Sequence, residues 1–232
     1  MEDEILKHGL KAYHEMKNKE HSFWEKLKEI FVEILIIVFA VTISIWLHSW
    51  DEHRQEQKQV KEFLTDLKYD LQQDIQSVTV TKEAVTNRNK DYYDFIETGN
   101  HPIDTSNKKK LSYNFSATIT TTKISDGDYE GFKSSGKISY IENKKLKKAI
   151  LKYYQETTPS ISESEKVNKD EIFKIIDYVI ENNDKGAVLF TNQKLRLMVN
   201  FYLGESEGIK TQYDDMVQQA KEIITEIDNE YR

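Results

Sequence analysis

From Phe31 to Trp50 the chain reads FVEILIIVFAVTISIWLHSW, an apolar run interrupted by Glu33 near its start and His48 near its end. As a helix, the stretch from Ile30 to Trp50 is about 30 Å long, the thickness of a hydrocarbon core. Trp24 lies before the run, and Trp46 and Trp50 lie at its far end. Indole rings suit both headgroup layers, so these three tryptophans are expected to anchor the membrane interfaces. The pattern predicts one transmembrane helix over residues 29–50. A cleavable signal peptide fits poorly, because no small-x-small site follows the run and a long segment of mixed charge precedes it. A buried soluble helix is the remaining alternative, since the strictly uncharged stretch Ile34 to Leu47 is short for a span.

Beyond the run the apolar residues take up helical spacing. Residues 51–98 contain no Gly and no Pro, and Leu64, Leu71, Val78, Val85 and Tyr92 recur at heptad intervals beside Val60, Leu67 and Ile75. This predicts a long helix continuing the membrane helix. Its stripe reads either as packing within the protein's own bundle or, more sharply, as a homo-oligomeric coiled coil. The weak point is Ser77 to Thr81, where β-branched residues lower helix propensity.

Within Glu97 to Lys110, Gly99 suits a C-cap, Pro102 prevents continuation and Lys108 to Lys110 read as a solvated loop. Leu111 to Ile124 has the Thr and Ile content of a strand in helical surroundings, and is assigned to helix. Ser125 or Asp126 is expected to cap a short helix that Gly136 ends in a left-handed conformation. Asn143 caps the next, bearing Leu146, Ile150, Tyr153 and Tyr154, and Pro159 marks a break or a new first turn. A long helix follows with Val167, Ile172, Ile175, Ile176 and Val179 inward, then a turn over 182–186. Thr191 should cap a helix from Leu195 to Leu203 that stops at Gly204. The last helix shows Ile209, Tyr213, Met216, Val217, Ala220, Ile223, Ile224 and Ile227 on one face.

The expected fold is therefore all-α: one N-terminal transmembrane helix continuing into a long helix, followed by an antiparallel helical bundle. Residues 1–28 form a short N-terminal segment, 29–50 the membrane helix and 51–232 the helical domain. Composition agrees with this pattern: two prolines and eight glycines in 232 residues disfavour a turn-rich β fold. The net charge of −7 argues against a nucleic-acid footprint. The absence of cysteine excludes disulfides and thiolate chemistry, and fits either side of a membrane.

Glu33 is the one carboxylate in the run. It lies within a turn of Ile30 and can snorkel to the interface. Yet Glu33, Ile37, Ala40, Ser44 and His48 share one side of a helix, and Ala40 with Ser44 forms a small-xxx-small pair that admits a neighbouring helix. On this second reading the five residues are a transmembrane interface, with Glu33 hydrogen-bonding to a partner helix. Proton relay would need further ionisable groups in the bilayer. His8, His14 and His21 lack the i,i+4 spacing of helical metal ligands and read as solvated. No nucleophile elbow, zinc-protease helix or dinucleotide loop occurs. All six histidines precede Pro102. The residues thus point to no catalytic, cofactor or metal site, and no enzyme.

Two segments carry a resemblance. EILIIVFAVTISIWLHSWDE (Glu33 to Glu52) is similar to the anchor of an uncharacterised family of single-pass inner-membrane proteins of Bacteroidota. Its members read Glu-Ile, a Val/Ile-rich run, then Asn-Asn-Trp-Asn-Glu. Glu33, Ile34, Trp50 and Glu52 match, while His48, Ser49 and Asp51 replace the usual asparagines. YEGFKSSGKISYIENKKLKKAILKYY (Tyr129 to Tyr154) resembles a second family segment at Ser134, Ser135, Gly136, Lys137, Leu146, Tyr153 and Tyr154, with Phe132 where Leu is usual. SSGK lacks the longer spacing of a phosphate-binding Walker loop. The resemblance implies a bacterial inner-membrane protein with an extracytoplasmic, periplasmic helical domain, and brings no functional residues with it. A slight excess of lysine before the span agrees with a cytoplasmic N-terminus. The expected role is an accessory or scaffold subunit of a cell-envelope complex. It would act through contacts with the lipid bilayer and with another membrane protein or itself as a homo-oligomer, with no nucleic acid and no identified small-molecule substrate. The alternative is an extracytoplasmic ligand-sensing domain that signals through a partner.

Overall fold

The computed structural model describes residues 2–102, 115–116, 118–182 and 186–231, with side chains from 23 onward. His8, His14, His21, the run Lys108 to Lys110 and part of the 182–186 turn lie outside the described backbone or side chains. The chain divides into two units, Met1–Glu56 and Gln57–Arg232, each taken by itself below. Six α-helices occur among the described residues: α1 (Glu2–Thr98), α2 (Gly127–Ser134), α3 (Lys144–Lys152), α4 (Thr158–Asn182), α5 (Ala187–Thr191) and α6 (Gln193–Glu230). A 3-10 turn (Lys137–Tyr140) follows α2, and a π turn (Tyr153–Thr157) joins α3 to α4. No strand occurs among the described residues, and the all-α architecture stands.

The first unit consists of the N-terminal part of α1. Every described side chain from Phe23 to Trp50 is exposed. By length and composition this helix can cross a membrane. A soluble helix buries an apolar stripe in its own core; these residues have none, which removes the buried-core alternative.

The second unit is a bundle of three long helical stretches. Pairs between α1 and α6 run in opposite senses: Lys68 with Asp228, Lys82 with Asp214, Tyr93 with Glu207, and Arg196 with the Ile96 carbonyl. Glu165 with Tyr213 and Tyr178 with Asn192 show the same antiparallel relation between α4 and α6. Asp74 with Tyr153 and Arg88 with Asn168 ascend together, so α1 and the α3–π–α4 stretch are parallel. A parallel pair needs a long crossover, here residues 99–143, which returns to the start of the unit where Gln57 Nε2 donates to the Tyr140 carbonyl at 3.0 Å.

The apolar residues form two clusters. One gathers Leu64, Leu67, Leu71, Val78 and Val85 of α1 with Tyr129, Phe132, Leu146, Ile150, Tyr153 and the Ile209–Ile227 face of α6. The other joins Tyr92 and Phe95 to Ile172, Ile175, Leu189, Phe190, Leu195, Val199, Tyr202 and Leu203. The α1 stripe thus packs within its own bundle. Phe132 stacks on Phe63 at 4.0 Å, and Tyr129 on Tyr154 at 4.3 Å, tying α2 to α1 and to the π turn.

Several local expectations hold. α1 stays helical through Ser77 to Thr81, because Val78 and Thr81 are buried and packing outweighs propensity. Asn143 caps α3, its side chain accepting from the Lys145 and Leu146 amides. Gly136 has φ 76°, the left-handed conformation that follows a helix end.

Others are corrected. The described residues between 115 and 124 are not helical; the Thr118, Thr122 and Lys123 amides bond to side chains instead. Residues 111–114 and 117 lie outside the description. α1 ends before Gly99 as expected, and the position has room only for glycine, since a Cβ there would collide with the Arg196 guanidinium and the Phe190 carbonyl. Ser125 and Asp126 give α2 no side-chain cap. Pro159 opens a new first turn, as one of its two readings had it: it is the second residue of α4, and the π turn before it lets the backbone continue, with the Thr158 amide bonding five residues back to the Tyr153 carbonyl. Val167 is exposed, because α4 is phased on Ile161, Glu165, Asn168, Ile172 and Ile175. Thr191 ends α5, and Asn192 caps α6 by accepting from the Leu195 amide. Gly204 does not stop the last helix. A glycine inside a helix costs about 1 kcal/mol, less than the flanking burial of Leu203, Ser206 and Ile209 provides.

Candidate functional site

The proposed membrane face consists of Glu33, Ile37, Ala40, Ser44 and His48. All five lie on α1 and are exposed. Their internal bonding separates their roles. Ser44 Oγ donates to the Ala40 carbonyl at 2.9 Å, so its hydroxyl is satisfied within the helix and the pair offers small size rather than a free donor. His48 Nε2 lies 3.2 Å from Glu52 Oε1, one turn further on. Glu33 makes no hydrogen bond or ion pair among the described residues. Trp24, Trp46 and Trp50 are exposed, and the Arg54 guanidinium lies 5.5 Å from the Trp50 ring centroid.

The second unit holds polar groups that the apolar pattern missed. Leu67, Asp74, Thr81, Arg88 and Phe95 occupy one heptad line of α1, and all are buried. Asp74 stands where Ile75 was expected, and Ile75 is only partly buried. The signal was present, since three polar residues recur seven apart beside a buried line. Arg88 Nε donates to Tyr202 Oη at 2.8 Å, Nη1 to the Thr118 carbonyl at 2.9 Å and Nη2 to Asn168 Oδ1 at 3.2 Å. Tyr202 Oη and Ser206 Oγ in turn donate to Asn89 Oδ1 at 2.9 and 3.0 Å. Glu165 Oε1 accepts from Tyr213 Oη at 2.8 Å and the Thr122 amide at 2.9 Å. Such a layer fixes helix register, because sliding any helix would strand a buried polar group.

Compared with known proteins, the chain matches no family model, no curated protein and no solved structure.

Asp74 is the most perturbed carboxyl of the bundle. It is fully buried, with Tyr153 Oη donating to Oδ2 at 2.9 Å and the Ser125 amide to Oδ1 at 2.8 Å. Burial raises its pKa to about 6, against the lowering effect of those two bonds, and Asp70 adds to the rise. Burial first, then Asp74 itself, pushes the Tyr153 hydroxyl far above its ordinary range. Burial and then Glu165 do the same to Tyr213. The two tyrosine hydroxyls therefore keep their protons at neutral pH, which suits packing rather than proton transfer. Among the described residues no group of three or more His, Asp or Glu is placed to hold a metal ion. A groove of about 460 Å³ between α1 and the crossover is lined chiefly by uncharged polar residues, including Gln73, Gln76, Ser77, Thr120 and Thr121.

Proposed function

We propose that this protein is a non-enzymatic, membrane-anchored accessory or scaffold subunit of a cell-envelope complex. The observation that carries this reading is the wholly exposed apolar helix from Phe23 to Trp50, which bears a carboxylate, Glu33, without a hydrogen-bond or ion-pair partner among the described residues, on the same side as a small-residue pair. The helix side built from Glu33, Ile37, Ala40, Ser44 and His48 meets another membrane protein or a second copy. Ala40 and Ser44 let the backbones approach, and Glu33 supplies the acceptor. The N-terminus lies in the cytoplasm, and the bundle lies in the periplasm of a bacterial inner membrane. The resemblance to the Bacteroidota family and the lysine bias support this placement.

The test is the mass and composition of the complex purified in mild detergent, for the wild type, Glu33→Leu and Ala40→Leu. Smaller assemblies in both variants, with the helical content of the wild type, support the interface. Wild-type assembly in both overturns it. Ligand sensing through a partner is the second reading, favoured by the mostly uncharged groove beside Gln73 and Thr121, whose volume lies in the range of small-molecule sites.

A further inference from the structure

Residues 118–126 belong to no helix, and side chains hold their backbone. The Thr122 amide donates to Glu165 Oε1 at 2.9 Å, the Lys123 amide to Ser77 Oγ at 2.7 Å and the Ser125 amide to Asp74 Oδ1 at 2.8 Å. Two of these three acceptors are buried carboxylates in different surroundings. Glu165 lies one helical turn from Asn168, which takes the Arg88 guanidinium. Asp74 has no cationic partner among the described residues. What acts on it is acidic or neutral: Asp70 from its own helix, Ser125 from the segment, and Tyr153 and Tyr154 from the π turn, while Asp126 and Asp128 act in turn on Asp70 and Tyr154. Asp70 and Asp128 stand within hydrogen-bonding reach of each other.

We propose that residues 118–126 form a proton-operated strap, closed while Asp74 carries a proton and opened more readily once that proton has left. The proton balance sets the direction. Opening puts the carboxyl in water, where it ionises in its ordinary range. Closing removes its hydration and sets it beside Asp70, so the closed form takes up one proton from solvent and the open form returns it. The closed strap is therefore most stable under acidic conditions and loses stability as pH rises. The window runs from the ordinary value of 3.8 to about 6, to which burial raises Asp74. With one proton exchanged, the opening constant rises by at most about tenfold per pH unit within that window. The Tyr153 hydroxyl stabilises the charged form and limits the effect. Opening widens the groove in which Gln73, Gln76 and Ser77 of α1 face Thr120 and Thr121 of the strap.

Peptide-resolved hydrogen–deuterium exchange of the full chain in lipid nanodiscs, from pH 4 to 8, tests this after correction for intrinsic exchange rates. Protection of the Lys123 and Ser125 amides should fall between tenfold and about a hundredfold from the acid end to pH 7, while amides around Ile223 in α6 stay constant. Asp74→Asn should flatten the strap's profile at its protected level. Tyr153→Phe removes a donor to the charged form, and should move the midpoint to higher pH. Asp70→Asn removes a like charge, and should move it to lower pH without abolishing it. A flat wild-type profile, or a slope that survives Asp74→Asn, overturns the proposal. So does a slope that vanishes in Asp70→Asn, which would assign the proton to the Asp70–Asp128 pair. If Asp74→Asn fails to fold, the opposed shifts of the other two variants decide.

Discussion

Asp74 lies in a line of α1 otherwise occupied by Leu67, Thr81, Arg88 and Phe95. Its raised pKa means that the folded protein binds the proton more tightly than the unfolded chain. The group therefore favours folding fully below about pH 4, and that contribution is lost as pH rises through about 6. Asp74→Asn keeps the shape without the charge. It should raise the melting temperature above wild type at pH 7.5, corresponding to on the order of 2–3 kcal/mol, and leave it unchanged near pH 4. Arg88 is the opposite case, a buried charge with three acceptors. Arg88→Ala should cost about 3–5 kcal/mol in thermal or denaturant unfolding, because Asn168, Tyr202 and the Thr118 carbonyl lose their common donor.

At the scale of elements, α6 shows how packing overrides a local signal. Gly204 and Gly208 are exposed, and a Cβ at either would meet nothing within 4 Å. Gly204→Ala should therefore stabilise the bundle by about 0.5–1 kcal/mol, read as a higher melting temperature. Asn143→Ala removes the acceptor for two amides at the start of α3 and should cost about 1 kcal/mol in the same assay. These two sites also show what the sequence made legible. The Asn143 cap was readable because its chemistry is local and the apolar spacing after it is helical. The continuity of α6 was not, since what bridges Gly204 is burial against α1 and α4, remote in sequence. The non-helical 118–126 segment was illegible for the same reason. Its amides find acceptors on Asp74, Ser77 and Glu165, and no local pattern announces partners so far along the chain. The closure of the Ser44 hydroxyl onto the Ala40 carbonyl became visible only with the backbone in place.

At the scale of the whole molecule, the sequence allowed either a self-contained stripe or a coiled coil between copies. The structure buries Leu64, Leu71, Val78, Val85 and Tyr92 within one chain, so that stripe is not the seam of a coiled coil between copies. Leu71→Asp should therefore unfold the bundle rather than merely dissociate an assembly, with loss of helical signal as well as of complex mass. Glu33→Leu should do the reverse.

The pairing of α1 with α6 also bears on how the chain is made. The α1 side chains that form ion pairs with Asp228 and Asp214 leave the ribosome 160 and 132 residues ahead of their partners. Through that interval the apolar line from Leu64 to Val85 lacks its α6 cover, and the crossover has only part of its final seat. Closure must wait for the last helix. A chain stopped after Asn192 should emerge as a protease-sensitive, aggregation-prone product rather than a smaller stable bundle.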